Sequence, residues 1–234
     1  MVGADPRRRL ALIATIVLTY VTGIVDAVGF LALDRVFTGN MTGNIVILGM
    51  GVAGADDLPV LGPAIALGAF TAAAFLAGLV LRASQKGWQH RVTVLLTVGA
   101  VTLAALSVLA GLDDHSGPVL PIVMAATTAA VMGSQAMVAR TVAVADMTTV
   151  VVTSTLASLA GETWTTPGSG VLWNRRFAAI ATIFAGAVTG ALLLRWHIAA
   201  PFALSAALTG AVALIGHLRL VRRTEADGPR IRES

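Results

Sequence analysis

Asp26 places a carboxylate inside an apolar run that extends from about Leu10 to Leu33. An ionisable group within such a run costs about 3 kcal/mol or more in a membrane, so a solute pathway, a proton relay or an ion partner is the first hypothesis. The competing reading is a structural carboxylate, protonated or hydrogen-bonded to a neighbouring helix, only two turns from the outer surface. Just downstream, Phe37-Thr38-Gly39-Asn40-Met41-Thr42-Gly43-Asn44 sets the amides and hydroxyl of Asn40, Thr42 and Asn44 around two glycines. Glycine permits left-handed backbone and close approach. Such a turn at a helix start can offer N–H groups to an anion or carbonyls to a cation. Its structural counterpart is a helix capped by Asn40 or Thr38, with Gly39 and Gly43 forming a packing face.

A second polar set mirrors the first. Asp146, Thr148, Thr149 and Thr153, followed by Ser154 and Thr155, open a short segment that runs to Ala160. Asp146 is either a site carboxylate or the cap of the helix that follows. The threonines either line a site or bond to the preceding turn. Gln135 adds an amide on a fourth long apolar run. Arg140, at the end of that run, either snorkels to the interface, pairs with Asp146 or holds an anion.

These groups need elements to position them. The chain has 234 residues, 56% hydrophobic and 12% charged, with a mean hydropathy of +0.85. Soluble domains carry roughly 25% charged residues, so half that fraction with runs of about 20 apolar residues marks an integral membrane protein. The full spans read as about Leu10–Leu33, Val60–Leu81, Val92–Leu112, Val119–Ala139, Phe177–Leu194 and Ile198–Leu218. Two short segments, Asn40–Gly54 and Asp146–Ala160, lie between them. The expected fold is all-α: a polytopic transmembrane helix bundle of six full spans plus two short re-entrant or broken segments. It forms a single transmembrane domain over 1–234, and residues 219–234 are expected as a flexible cytoplasmic tail.

Charge supports that topology. If both short segments re-enter, the N-terminus, the Arg82–Arg91 loop, Arg175-Arg176 and the C-terminal tail fall on the inner side. The acidic loops at Asp56-Asp57 and Asp113-Asp114 then fall outside, leaving only Arg195 against the positive-inside rule. The halves 10–112 and 118–218 also resemble each other. Gly78-Leu79-Val80-Leu81-Arg82 aligns with Ala191-Leu192-Leu193-Leu194-Arg195, and Met41-Thr42 with Met147-Thr148. Three spans per half would make this an inverted repeat, which places binding sites near the midplane. Chance similarity between Ala/Val/Leu-rich spans is the alternative.

Several classes fall away. The net charge of +4 sits in loops and tails, so no nucleic-acid partner is expected. With no cysteines there is no disulfide, thiolate metal site or Cys nucleophile. Gly49-Met50-Gly51-Val52-Ala53-Gly54 imitates a dinucleotide fingerprint, but the βαβ context and the following acid are missing, so these glycines are expected to end a short helix. The four histidines sit at span ends with no metal-ligand spacing. No cofactor, metal site or enzymatic activity is expected. Arg7–Arg9 before the first apolar run resembles a signal peptide, yet no convincing cleavage site follows and the run is read as an uncleaved span.

Gly23-Ile24-Val25-Asp26-Ala27-Val28-Gly29-Phe30, the Phe37–Asn44 segment, Met132-Gly133-Ser134-Gln135-Ala136 and Met147–Leu156 together resemble the YoaK family of bacterial polytopic membrane proteins, defined by a domain of unknown function. The resemblance covers nearly the whole chain. It departs at the fourth-span motif, where Ala136 directly follows Gln135 and the family's usual Asn is absent. It implies a multi-pass protein of the bacterial inner membrane, of the kind often labelled a permease. The resulting expectation is a permease-like secondary transporter or channel for a small polar solute or ion, with both termini cytoplasmic. Asp26, Asn40, Thr42, Asn44, Gln135, Asp146, Thr148, Thr149 and Thr153 are its candidate substrate- or ion-binding residues. Membrane lipids are the expected partners, with a homo-oligomer as a candidate assembly. The alternative is a non-transporting interaction or assembly protein whose polar segments pack helices.

Overall fold

The computed structural model describes residues 6–55, 57–82, 87–112, 117, 119–142 and 170–221. Its helices are α1 (Pro6–Ala32), α2 (Met41–Val52), α3 (Leu61–Leu81), α4 (His90–Leu112), α5 (Val119–Val142), α6 (Gly170–Leu194) and α7 (Ala199–Gly216). A π-helical turn, His217–Val221, extends α7. Six helices are long and apolar enough to cross a membrane, and α2 is the short apolar one. The 21 residues of α3 span about 31 Å at 1.5 Å per residue, close to the thickness of a bilayer's hydrocarbon core.

Helix starts follow local chemistry. Pro63, Pro121 and Pro201 each occupy the third position of their helices, α3, α5 and α7. In a first turn the missing N–H costs nothing, because that group has no intrahelical partner. Several boundaries differ from the sequence reading, α1 starting at Pro6 and not Leu10. α5 runs on to Val142, which puts Arg140 in its last turn. α6 begins at Gly170, seven residues before the Phe177 at which the span is read from the sequence.

The helices pack chiefly in three pairs: α1 with α6, α3 with α5, and α4 with α7. In the first pair, Gly23 lies against the Ile183 carbonyl, Gly186 against Tyr20 and Gly23, and Gly190 against Ile24. Positions thus rise together along both helices, so α1 and α6 run parallel. In the second, Gly133 lies against the Phe70 carbonyl and Gly78 faces Met137, which is again parallel. α4 and α7 run antiparallel, with Gly111 beside Ala199 and Gly210 beside Ala100. Small residues let these backbones approach where lipid supplies no hydrophobic drive for association. Exchanging α1, α3 and α4 for α5, α6 and α7 leaves the three principal pairs unchanged. α1 is the most enclosed span, 61% buried over its most apolar stretch, against 17% for α3 and 11% for α6. The helix that carries Asp26 is therefore the centre of the bundle, and α3 and α6 form its outer faces.

Candidate functional site

The chain folds back on itself immediately after α1. The Gly29 carbonyl accepts from the N–H groups of Leu33 and Val36, both at 3.2 Å. Asp34 and Arg35 adopt left-handed backbone, φ 62° and 53°, conformations that cost a non-glycine residue roughly 1 kcal/mol. The turn sends the chain back down beside α1. There the Asp26 carboxylate receives three donors on one oxygen. The Gly39 N–H donates to Oδ1 at 2.6 Å, the Thr38 N–H at 2.9 Å and the Thr38 hydroxyl at 3.3 Å. Asp26 therefore pins the descending arm of the loop, with these donors in the coil before α2 and not on a neighbouring helix.

Asn44 fastens the same loop from the other side. Its Nδ2 donates to the Phe37 carbonyl at 2.6 Å and its Oδ1 accepts from the Phe37 N–H at 2.8 Å. The pair satisfies two backbone groups that water cannot reach. Asn40 caps α2, accepting from the Gly43 N–H at 3.4 Å. The two glycines do not form a common packing face, because helix begins only at Met41. Gly39 faces α1, where a Cβ would lie 2.7 Å from Thr22 Cγ2, and Gly43 faces the Phe37 ring. Phe37 in turn stacks on Phe30, ring centroids 5.1 Å apart.

α2 ends as the glycine pattern predicted, with Gly54 at φ 76° and the Ala55 N–H bonded to the Met50 carbonyl. Both ends of this segment meet the start of α3. Gly62 lies against Asp34 and Val36, and Gly51 lies against Leu58, Pro59 and Val60. The coil descends, α2 climbs back, and the segment returns to the end of the bundle from which it entered.

Behind it lies a cavity of about 940 Å³. Asp26, Asn40 and Thr42 line it, as do Thr22, Arg35 and Arg140. Much of the remaining wall is apolar, including Phe37, Met50, Phe70 and Met137. Asn44 is fully buried and spends its amide on Phe37, away from the cavity wall. Gln135 sits one layer behind, its Nε2 donating to the Leu18 carbonyl and to the Thr22 hydroxyl, each at 3.2 Å. Its Oε1 is buried without a partner. Asp146, Thr148, Thr149 and Thr153 lie outside the described residues.

Sequence reasoning overlooked Thr15, Thr19 and Thr22, which are buried together with Asp26. Their spacing repeats the helical period, so all four share one face of α1. That periodicity was the available signal. Each threonine hydroxyl donates to the carbonyl one turn earlier, at 2.9 to 3.0 Å, which lets it sit in an apolar span at little cost. Ser205 and Thr209, one turn apart on α7, are also buried, with no hydrogen-bond partner among the described residues. A smaller hollow of about 540 Å³ beside Thr189, Arg195 and Trp196 marks the α6–α7 link. Among the described residues no three His, Asp or Glu side chains converge as metal ligands would.

A bundle of six membrane-length helices, with a short seventh returned to the end it came from, defines a polytopic all-α membrane protein. Residues 14–215 match the model of a family described as "Protein of unknown function (DUF1275)", and the chain belongs to that family. It is 34% identical over 138 residues to the UPF0700 transmembrane protein YoaK of Bacillus subtilis (strain 168), a match that covers 58% of this chain and 60% of that protein. The chain thus spans somewhat less than two thirds of its relative's length. The resemblance read from the Phe37–Asn44 and Gly23–Phe30 segments holds. No solved structure matches.

Proposed function

We propose that this protein is a permease-like secondary transporter or channel for a small polar solute, with the cavity behind α2 as its binding site. One observation carries the reading: a buried carboxylate on the central helix and a re-entrant segment bound the same cavity. Irregular backbone at membrane depth is tolerated where it lines such a space. The exchange symmetry of the helix pairs adds support. Aligning Gly78–Arg82 with Ala191–Arg195 sets Phe70 opposite Ile183. These are the two residues whose carbonyls receive Gly133 and Gly23. Inverted-topology repeats in transporters place their sites at the repeat interface. The basic loops and tails favour a bacterial cytoplasmic membrane with both termini inside.

The inward use of Asn44 favours a second reading, in which the polar segment only packs helices in a non-transporting assembly protein. Counterflow in proteoliposomes separates the two. Asp26→Asn retains an acceptor for Thr38 and Gly39 while removing the charge. The transporter reading expects this variant to insert and fold yet lose solute exchange at least about tenfold. Exchange at the wild-type rate would remove Asp26 from the pathway and favour the packing role.

A further inference from the structure

The walls of the cavity narrow the class of solute, given the transport reading above. Asp26 is more than nine-tenths buried, and its hydrogen bonds from Thr38 and from the Gly39 N–H end on Oδ1. The Asn40 N–H also interacts with this carboxylate, and the side chain lines the cavity. A carboxylate thus borders the cavity. Arg35 and Arg140 line the same cavity, and neither makes a hydrogen bond or ion pair among the described residues. Both signs of charge therefore border one cavity. Between them the walls are largely carbon, with thioethers and aromatic rings at Met41, Met50, Phe37 and Phe70.

We infer that the cavity takes a small organic zwitterion, an amino acid in chemical class. Its ammonium group is held by the Asp26 carboxylate, its acidic group by Arg140 or Arg35, and its body by the apolar wall. A bare metal cation fits poorly, because such ions want a shell of oxygens at close range and the cavity offers mostly carbon. An organic cation meets two arginines, and an anion meets Asp26. A zwitterion alone satisfies both signs with no net charge carried into the bundle, where an unpaired charge is costly. The volume lies in the range that small-molecule sites occupy.

Purified protein tests this by thermal unfolding with three matched probes: leucine, its amine analogue 3-methylbutylamine and its acid analogue 4-methylpentanoate. A wider panel of zwitterionic amino acids and sodium chloride completes the set. Ligands that bind the folded state raise the melting temperature with concentration. The inference expects stabilisation by at least one zwitterion and by neither of its single-charge analogues. Asp26→Asn and Arg140→Gln should each weaken binding about tenfold or more by calorimetry. Arg140 is exposed, so its variant stays informative if the Asp26 variant fails to fold; Arg35→Gln covers the other arginine. Equal stabilisation by the amine, the acid or sodium would overturn the zwitterion while leaving a transport site at Asp26. No stabilisation by any zwitterion would overturn it as well. A bound zwitterion that shows no counterflow in proteoliposomes would instead overturn the transport reading alone.

Discussion

At the scale of single residues, the site is a set of close fits around Asp26. Gly39 is there because Thr22 and Asp26 leave no room for a side chain: a Cβ would sit 2.7 Å from Thr22 Cγ2 and 3.5 Å from Asp26 Oδ1. Thr22 is buried and β-branched, so its methyl cannot easily swing away. Gly39→Ala should therefore destabilise the protein by about 1 to 3 kcal/mol. Thr22→Ser, which removes that methyl but keeps the hydroxyl facing Gln135, should recover much of the loss. A double-mutant cycle on thermal or denaturant unfolding reads the coupling, expected at about 1 kcal/mol. Additive effects would mean that Gly39 is fixed by something other than this contact. Asp26, Asn40 and Thr42, which line the cavity, were conspicuous in the sequence because they are polar groups within or beside apolar runs. The bond of Asn44 to Phe37 was not, since nothing in the chain's order says which backbone an amide will meet. The buried threonines were also missed, because a hydroxyl bonded to its own helix adds little polarity for a pattern to reveal.

At the scale of elements, the spans were legible because a long apolar run admits little besides a membrane helix. The end of α5 was not, because Arg140 reads as a stop although an arginine in a last helical turn is favourable to the helix dipole. Pairing was legible only where glycines recur, as at Gly186 and Gly190. There the α1–α6 contact is backbone on backbone, so no side chain can yield to an added atom. Gly186→Val should lower stability by about 1 to 3 kcal/mol or more. Gly68→Ala is the control, because nothing lies within 4 Å of that position on the exposed face of α3, and it should change stability by less than about 1 kcal/mol. Comparable losses from both would show that the three glycines on α1 and α6 do not set the helix approach.

At the scale of the whole molecule, a central helix and a re-entrant segment border one cavity, whose lining runs from Arg140, beside the Thr141 carbonyl that accepts from Gly87, to Arg35 and Leu58 at the other end of the bundle. The six-span reading places that end outside, opposite the basic Arg82–Arg91 loop. The chain contains no cysteine, so single cysteines report accessibility without a background to remove. Thr42 lines the cavity, whereas Asn44, two residues on, is fully buried against the loop. The most direct measurement compares Thr42→Cys with Asn44→Cys in intact cells, using a small membrane-impermeant thiol reagent. The account predicts that Thr42→Cys reacts from outside and Asn44→Cys does not. A Thr42→Cys that stays unmodified from either side, in a protein that inserts normally, would contradict a water-accessible compartment beside Asp26.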